Sequence, residues 1–88
     1  MPERTATIAS KVGLHARPAT IFVQAVTDRG LPVTIRKGNG PVGNAASILA
    51  VMALGAGNGE QVTLSAEGDR ADQVLDDLVQ LLETDLDI

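Results

Sequence analysis

Only one histidine occurs in the chain, His15, within Gly13-Leu14-His15-Ala16-Arg17-Pro18-Ala19. It stands where a strand-like segment, Thr5 to Ile8, gives way to a helix-like one running from Ala16 to about Thr27. A helix start has backbone N–H groups without intrahelical partners and a partial positive charge, which suits an anion. Arg17 adds a planar, permanently charged fork of donors that fits phosphate. The imidazole of a histidine is nucleophilic when neutral, as it ordinarily is near neutral pH. The run therefore supports two chemistries: a nucleophile that takes a phosphoryl group covalently, or a histidine that only helps to bind an anion. The other roles of histidine fit less well. No co-ligands accompany His15 for a metal, and no serine sits in the tight strand-to-helix turn of a hydrolase nucleophile.

The elements around it must place it. Thr5-Ala6-Thr7-Ile8 alternates as a half-buried strand does, and Ala9 to Gly13 reads as a loop. Pro18 falls in the first helical turn, where its missing N–H breaks no hydrogen bond, and it restricts Arg17 before it. Ala19, Phe22, Ala25 and Val26 form the buried stripe, leaving Thr20, Gln24 and Thr27 outward on the histidine's side. Gly30 is the helix stop, with Pro32 beyond it. A second strand covers Val33 to Arg36, Gly38-Asn39-Gly40 turns the chain, and Pro41-Val42-Gly43 returns as a short strand.

Asn44 to Leu54 reads as a short apolar helix ended by Gly55, with Ser47 in its first turn as a capping residue. It is so poor in polar residues that some of Ile48, Leu49 and Met52 are expected at the surface, as a docking patch would be. Gln61 to Ala66 has the alternation of a central strand. Asp69 is the expected N-cap of the last helix, with Asp72 in its first turn; Ala71, Val74, Leu75, Leu78, Leu81 and Leu82 face the core, and Asp76, Asp77 and Gln80 face water. The order is β-α-β-β-α-β-α, a single domain over residues 1–88. Its amphipathic strands predict an α+β, two-layer sandwich: one antiparallel sheet with the helices on one face.

Composition excludes several classes. The 88 residues contain no cysteine, which removes disulfides and thiolate chemistry. Phe22 is the only aromatic and no basic cluster occurs, so nucleic acid is not an expected partner. No stretch is long enough to span a bilayer, and Met1 to Thr5 has no apolar signal region, so the cytoplasm is the expected compartment. The net charge of −4 is uneven. Glu67, Asp69, Asp72, Asp76, Asp77, Glu83, Asp85 and Asp87 crowd the C-terminal end against Arg70 alone, whereas bases outnumber acids over residues 1–66. The acids read as a solvated face, and the histidine end as one suited to an anionic partner.

Two stretches resemble one family. Gly13 to Ala19 is similar to the active-site motif of HPr, the histidine-containing phosphocarrier family of the bacterial phosphoenolpyruvate:sugar phosphotransferase system. Asn44 to Gly55 resembles that family's second signature, and the likeness covers essentially the whole chain. It implies an open-faced β-sandwich with a four-stranded sheet and three helices, and a carrier rather than a stand-alone enzyme. It further implies that His15 accepts a phosphoryl group on Nδ1 from phosphorylated enzyme I and passes it to a histidine of a sugar-specific enzyme IIA. Arg17 and the backbone N–H groups of Ala16 and Arg17 would hold the phosphate, and Thr20, Gln24, Ile48, Leu49 and Met52 would form the docking face. No cofactor or metal is implied, and a monomer is expected. Ser47 corresponds to the serine that HPr kinase phosphorylates in many Gram-positive bacteria, although Ala46 stands where lysine is common. A regulatory or nitrogen-branch member of the family, or a small-ligand-binding regulatory domain outside it, are the alternative readings.

Overall fold

The computed structural model describes residues 2–85, so Asp87 of the acidic end lies outside the described residues. The chain forms β1 (Glu3–Thr7), α1 (Ala16–Arg29), β2 (Val33–Lys37), β3 (Gly43–Asn44), α2 (Ile48–Ala53), β4 (Gln61–Ala66) and α3 (Ala71–Leu82). The sheet order is β1-β4-β2-β3, antiparallel throughout. The last strand in sequence is thus inserted between the first two. Glu3 pairs with Ser65 and Thr7 with Gln61 on one side of β4, and Val33 pairs with Ala66 and Lys37 with Val62 on the other.

Strict alternation in β4 puts Val62, Leu64 and Ala66 on the buried face and Thr63 and Ser65 on the open one. Ile35 and Val33 of β2 and Ala6 of β1 join them, and Phe22 and Val26 of α1 with Leu75, Leu78 and Leu82 of α3 close the core from the helical side. The uncovered face is polar: Thr5, Thr63 and Arg36 lie in one cross-strand row, and Glu3, Ser65, Thr34 and Asn44 in the next. The predicted two-layer α+β arrangement with its four-stranded antiparallel sheet is the fold observed.

Differences are local and have physical causes. The first strand begins two residues before the predicted Thr5, and Ile8 leaves the ladder while its N–H still reaches the Glu60 carbonyl at 2.9 Å. The β3 pairing falls on Gly43 and Asn44 rather than Pro41 to Gly43, since Pro41 has no N–H to give a partner strand. Helix α2 accordingly begins at Ile48, not Asn44, and the Asn44 side chain accepts from the Ala46 N–H at 2.9 Å. Asp69 does not cap α3: the N-cap is Arg70, with φ of 69° and no side-chain cap bond, within a turn closed by the Ala71 N–H and the Gly68 carbonyl. Leu81 is half-buried rather than buried. The acids on α3 are not merely solvated. Arg4 pairs with Asp72 at 2.8 Å and Asp76 at 3.0 Å, and Arg29 pairs with Asp77 at 2.9 Å. The hydrogen bonds it donates to Asp72, then to Asp76, hold the Arg4 guanidinium even more firmly protonated than usual. These ties fasten α3 to β1 and to the end of α1.

Candidate functional site

His15 is the N-cap residue of α1, with extended backbone (φ −138°, ψ 153°) and an exposed side chain that makes no capping hydrogen bond. A capping Ser, Thr or Asp would satisfy a first-turn donor itself; His15 does not. The opening of α1 therefore keeps its donors for another acceptor, with the ring at the same point. No acid lies in the first turn of α1 to compete for them. Arg17 is exposed and has no ion-pair partner among the described residues.

Burial alternates sharply along this segment. Leu14 is buried, His15, Ala16 and Arg17 are exposed, and Pro18 and Ala19 are buried again. Both flanks are pinned, so the residues between them must turn within a short span. Ala16 absorbs that turn with φ of +48°, a left-handed conformation that costs an alanine about 1–2 kcal/mol. Nothing in the residue type of Ala16 announced it. Gly13 also has positive φ, 75°, and is needed for a second reason: a Cβ there would lie 2.5 Å from the Ala56 carbonyl oxygen and 2.8 Å from the Gly57 Cα.

That close approach joins the His15 segment to the chain after α2. The Leu14 N–H donates to the Ala56 carbonyl at 2.8 Å, and the Asn58 side-chain amide donates to the carbonyls of Ala9 (3.0 Å) and Ser10 (3.3 Å). Sequence reasoning passed over Ala56 and Asn58 because Ala56-Gly57-Asn58-Gly59 has the composition of any loop.

Helices α1 and α2 pack against each other. Thr20 and Gln24 are exposed on α1; Thr20 donates back to the Ala16 carbonyl at 3.0 Å, and Gln24 donates to Asp28 at 3.1 Å. On α2, Leu49 is 79% exposed and Ile48 39%, while Met52 is half-buried against the core. Val12, 53% exposed and three residues before His15, is an apolar surface residue that sequence reasoning did not single out. Ser47 is the N-cap of α2, its Oγ accepting from the Ala50 N–H at 3.3 Å.

Three cavities, of about 340, 280 and 540 Å³, open elsewhere on the surface, and neither His15 nor Arg17 lines them. Among the described residues no group of His, Cys, Asp or Glu could hold a metal ion, and no helix is long and apolar enough to cross a membrane. An exposed histidine at an open helix start, two residues from an exposed arginine and outside these three cavities, offers a charged group a place at the surface. The class so defined is a small α+β group carrier.

Comparison with known proteins is specific. Residues 2–84 match the family described as PTS HPr component phosphorylation site. The chain is 46% identical to phosphocarrier protein HPr of Streptomyces coelicolor, across 99% of this chain and 94% of the relative. It is 42% identical to phosphocarrier protein HPr of Pseudomonas aeruginosa, across 99% and 97%. Among solved structures, HPr-C-His from Thermoanaerobacter tengcongensis superposes with a TM-score of 0.86 at 43% identity, covering 94% of this chain and 92% of that one. The chain belongs to the HPr family, the phosphocarrier proteins of the phosphotransferase system.

Proposed function

We propose that His15 is the phosphorylation site of this phosphocarrier, and that it receives its phosphoryl group from phosphorylated enzyme I and gives it to a histidine of a sugar-specific enzyme IIA in the cytoplasm. The observation that carries the assignment is the exposed His15 ring at a helix start that it does not cap. In each transfer a lone pair of the acceptor imidazole, Nδ1 for His15, forms a P–N bond as the donor's P–N bond breaks. The leaving imidazole keeps that electron pair, so no oxidant or reductant is needed. Arg17 and the N–H groups of Ala16 and Arg17 stabilise the phosphoryl oxygens electrostatically. They add no bond to phosphorus, which keeps the group transferable.

Thr20, Gln24, Ile48, Leu49 and Met52 form the docking face for both partners in turn. A patch with so little exposed apolar surface suits brief encounters and fast release. Ser47 supports a second, regulatory reading, because phosphorylation by an HPr kinase would replace a neutral cap with a dianion at the start of α2. The helix tolerates negative charge there, but a partner docking on Ile48 and Leu49 would meet it directly.

The deciding experiment is intact mass after incubation with phosphoenolpyruvate and catalytic enzyme I, for wild type and His15→Ala. One phosphoryl group gained, lost in mild acid and missing from the variant, is the expected result. A wild type that gains nothing from an enzyme I of its own organism overturns the assignment.

A further inference from the structure

We infer that Asn58 is a positioning residue for phosphoryl transfer, acting through the His15 segment, which it clamps; the inference rests on the carrier reading of His15. The segment from Ala9 to Leu14 belongs to no helix or strand, so its position must come from other contacts. Two of its carbonyls, Ala9 and Ser10, accept from the one Asn58 amide at 3.0 and 3.3 Å, 49 and 48 residues away in sequence. Ser10 itself is buried, and its carbonyl also accepts from the Gly13 N–H at 3.0 Å. Asn58 thus grips the turn that delivers Gly13, Leu14 and then His15.

A clamp works only if its own base is fixed, and this one is. The Gly57 N–H donates to Glu60 Oε1 at 2.7 Å, and the Gly59 N–H donates to the Ile8 carbonyl at 2.8 Å. Lys37 Nζ on β2 reaches the Gly55 carbonyl at 3.3 Å and Glu60 Oε2 at 3.6 Å. The loop is therefore anchored to Lys37 of β2, to Ile8 just after β1 and to Glu60 just before β4, on either side of Asn58. The Asn58 side chain is exposed and fills no space in the core, so replacing it leaves the fold in place. What it removes is the side-chain grip on the 9–10 turn among the ties that set where His15 stands, beside the Leu14–Ala56 hydrogen bond and that from the Ala9 N–H to the Leu82 carbonyl at 3.1 Å. Misplacing a reacting group by a fraction of an ångström is enough to lower the rate of a transfer step substantially.

The test compares Asn58→Ala and Asn58→Asp with wild type, and with Val74→Ala, buried near the start of α3 at the far end of that helix from Leu82, as a destabilised control. Asn58→Asp keeps size but turns a carboxylate toward two carbonyl oxygens. Transfer from phosphorylated enzyme I is measured as kcat and KM for each acceptor, and the His15 ring resonances are recorded by NMR in the unphosphorylated chain. The expected result is a loss of about tenfold in kcat for both Asn58 variants with little change in KM, and displaced His15 resonances. Val74→Ala, for all its lower melting temperature, should change neither. Wild-type kcat with unmoved resonances, an equal loss in Val74→Ala, or a rise confined to KM would each overturn the inference. If wild type itself accepts no phosphoryl group, the carrier reading fails instead, and the His15 resonances still decide whether Asn58 sets that segment.

Discussion

Replacing Gly13 with alanine should be among the most damaging single-methyl changes available in this chain, and its cost can be separated into two parts. The first is conformational: with φ of +75°, an alanine at 13 bears the left-handed penalty of about 1–2 kcal/mol. The second is steric. The new Cβ would lie 2.5 Å from the Ala56 oxygen and 2.8 Å from the Gly57 Cα, both backbone atoms that cannot rotate away. Forcing the two segments apart would also strain the 2.8 Å Leu14–Ala56 hydrogen bond, and overpacking of this kind costs a further ~1–3 kcal/mol. Gly30→Ala isolates the first part, because Gly30 has nearly the same φ, 71°, with nothing within 4 Å of the added methyl. Urea and thermal unfolding of the two variants measure the difference. Gly13→Ala should lose about 2–5 kcal/mol against about 1–2 for Gly30→Ala. At ~4–8 °C per kcal/mol for a domain of this size, the two melting temperatures should stand apart clearly. Equal losses would refute the claim that the 13–14 and 56–57 backbones are in obligatory contact.

Three further outcomes follow from other contacts. The Gly57 N–H, and then the charge of Lys37, hold the Glu60 carboxyl below the usual range. Its stabilisation is therefore present above the ordinary carboxylate pKa and lost as pH falls through the lower folded value. Glu60→Gln should accordingly flatten the acid limb of a melting-temperature profile and bring the two proteins together at low pH; parallel profiles would refute it. Ser47→Ala removes the only side-chain cap of the six-residue α2 and should cost about 1 kcal/mol in chemical denaturation. Leu49→Ala, at a residue 79% exposed, should leave stability within about 0.5 kcal/mol of wild type while raising the KM of transfer from enzyme I, and an unchanged KM would remove Leu49 from the docking face.

How much of this was legible beforehand depended on whether the cause was local. Strand β4 has the limits its alternation predicts, because a strand buried on one face displays its pattern directly. Gly30 ends α1 in the left-handed conformation expected of it, and Ser47 caps α2 as its type suggests. What stayed hidden is tertiary. Asp72, Asp76 and Asp77 look the same in sequence whether they face water or hold Arg4 and Arg29. Asp69 is as good a cap by type as Ser47, yet the turn at Gly68 moves the helix start beyond its reach. At the candidate site, the run around His15 was visible as a motif. The left-handed Ala16 and the Asn58 grip were not, because each is decided by chain that arrives 40 or more residues later or by pinning on both flanks.

The strand order carries a consequence for how the molecule is made. The first strand has no permanent neighbour until residues 61–66 exist, because β1 pairs only with β4. A growing chain on the ribosome can wind α1 early, but it cannot seat the histidine segment, whose hydrogen-bonding partners at 56 and 58 immediately precede β4. Closure over some sixty residues is the kind of non-local step that slows folding. On the proposed assignment, phosphoryl-accepting competence should thus appear only after residues 56–66 have been made, and all at once, with no half-built site for an enzyme I to find.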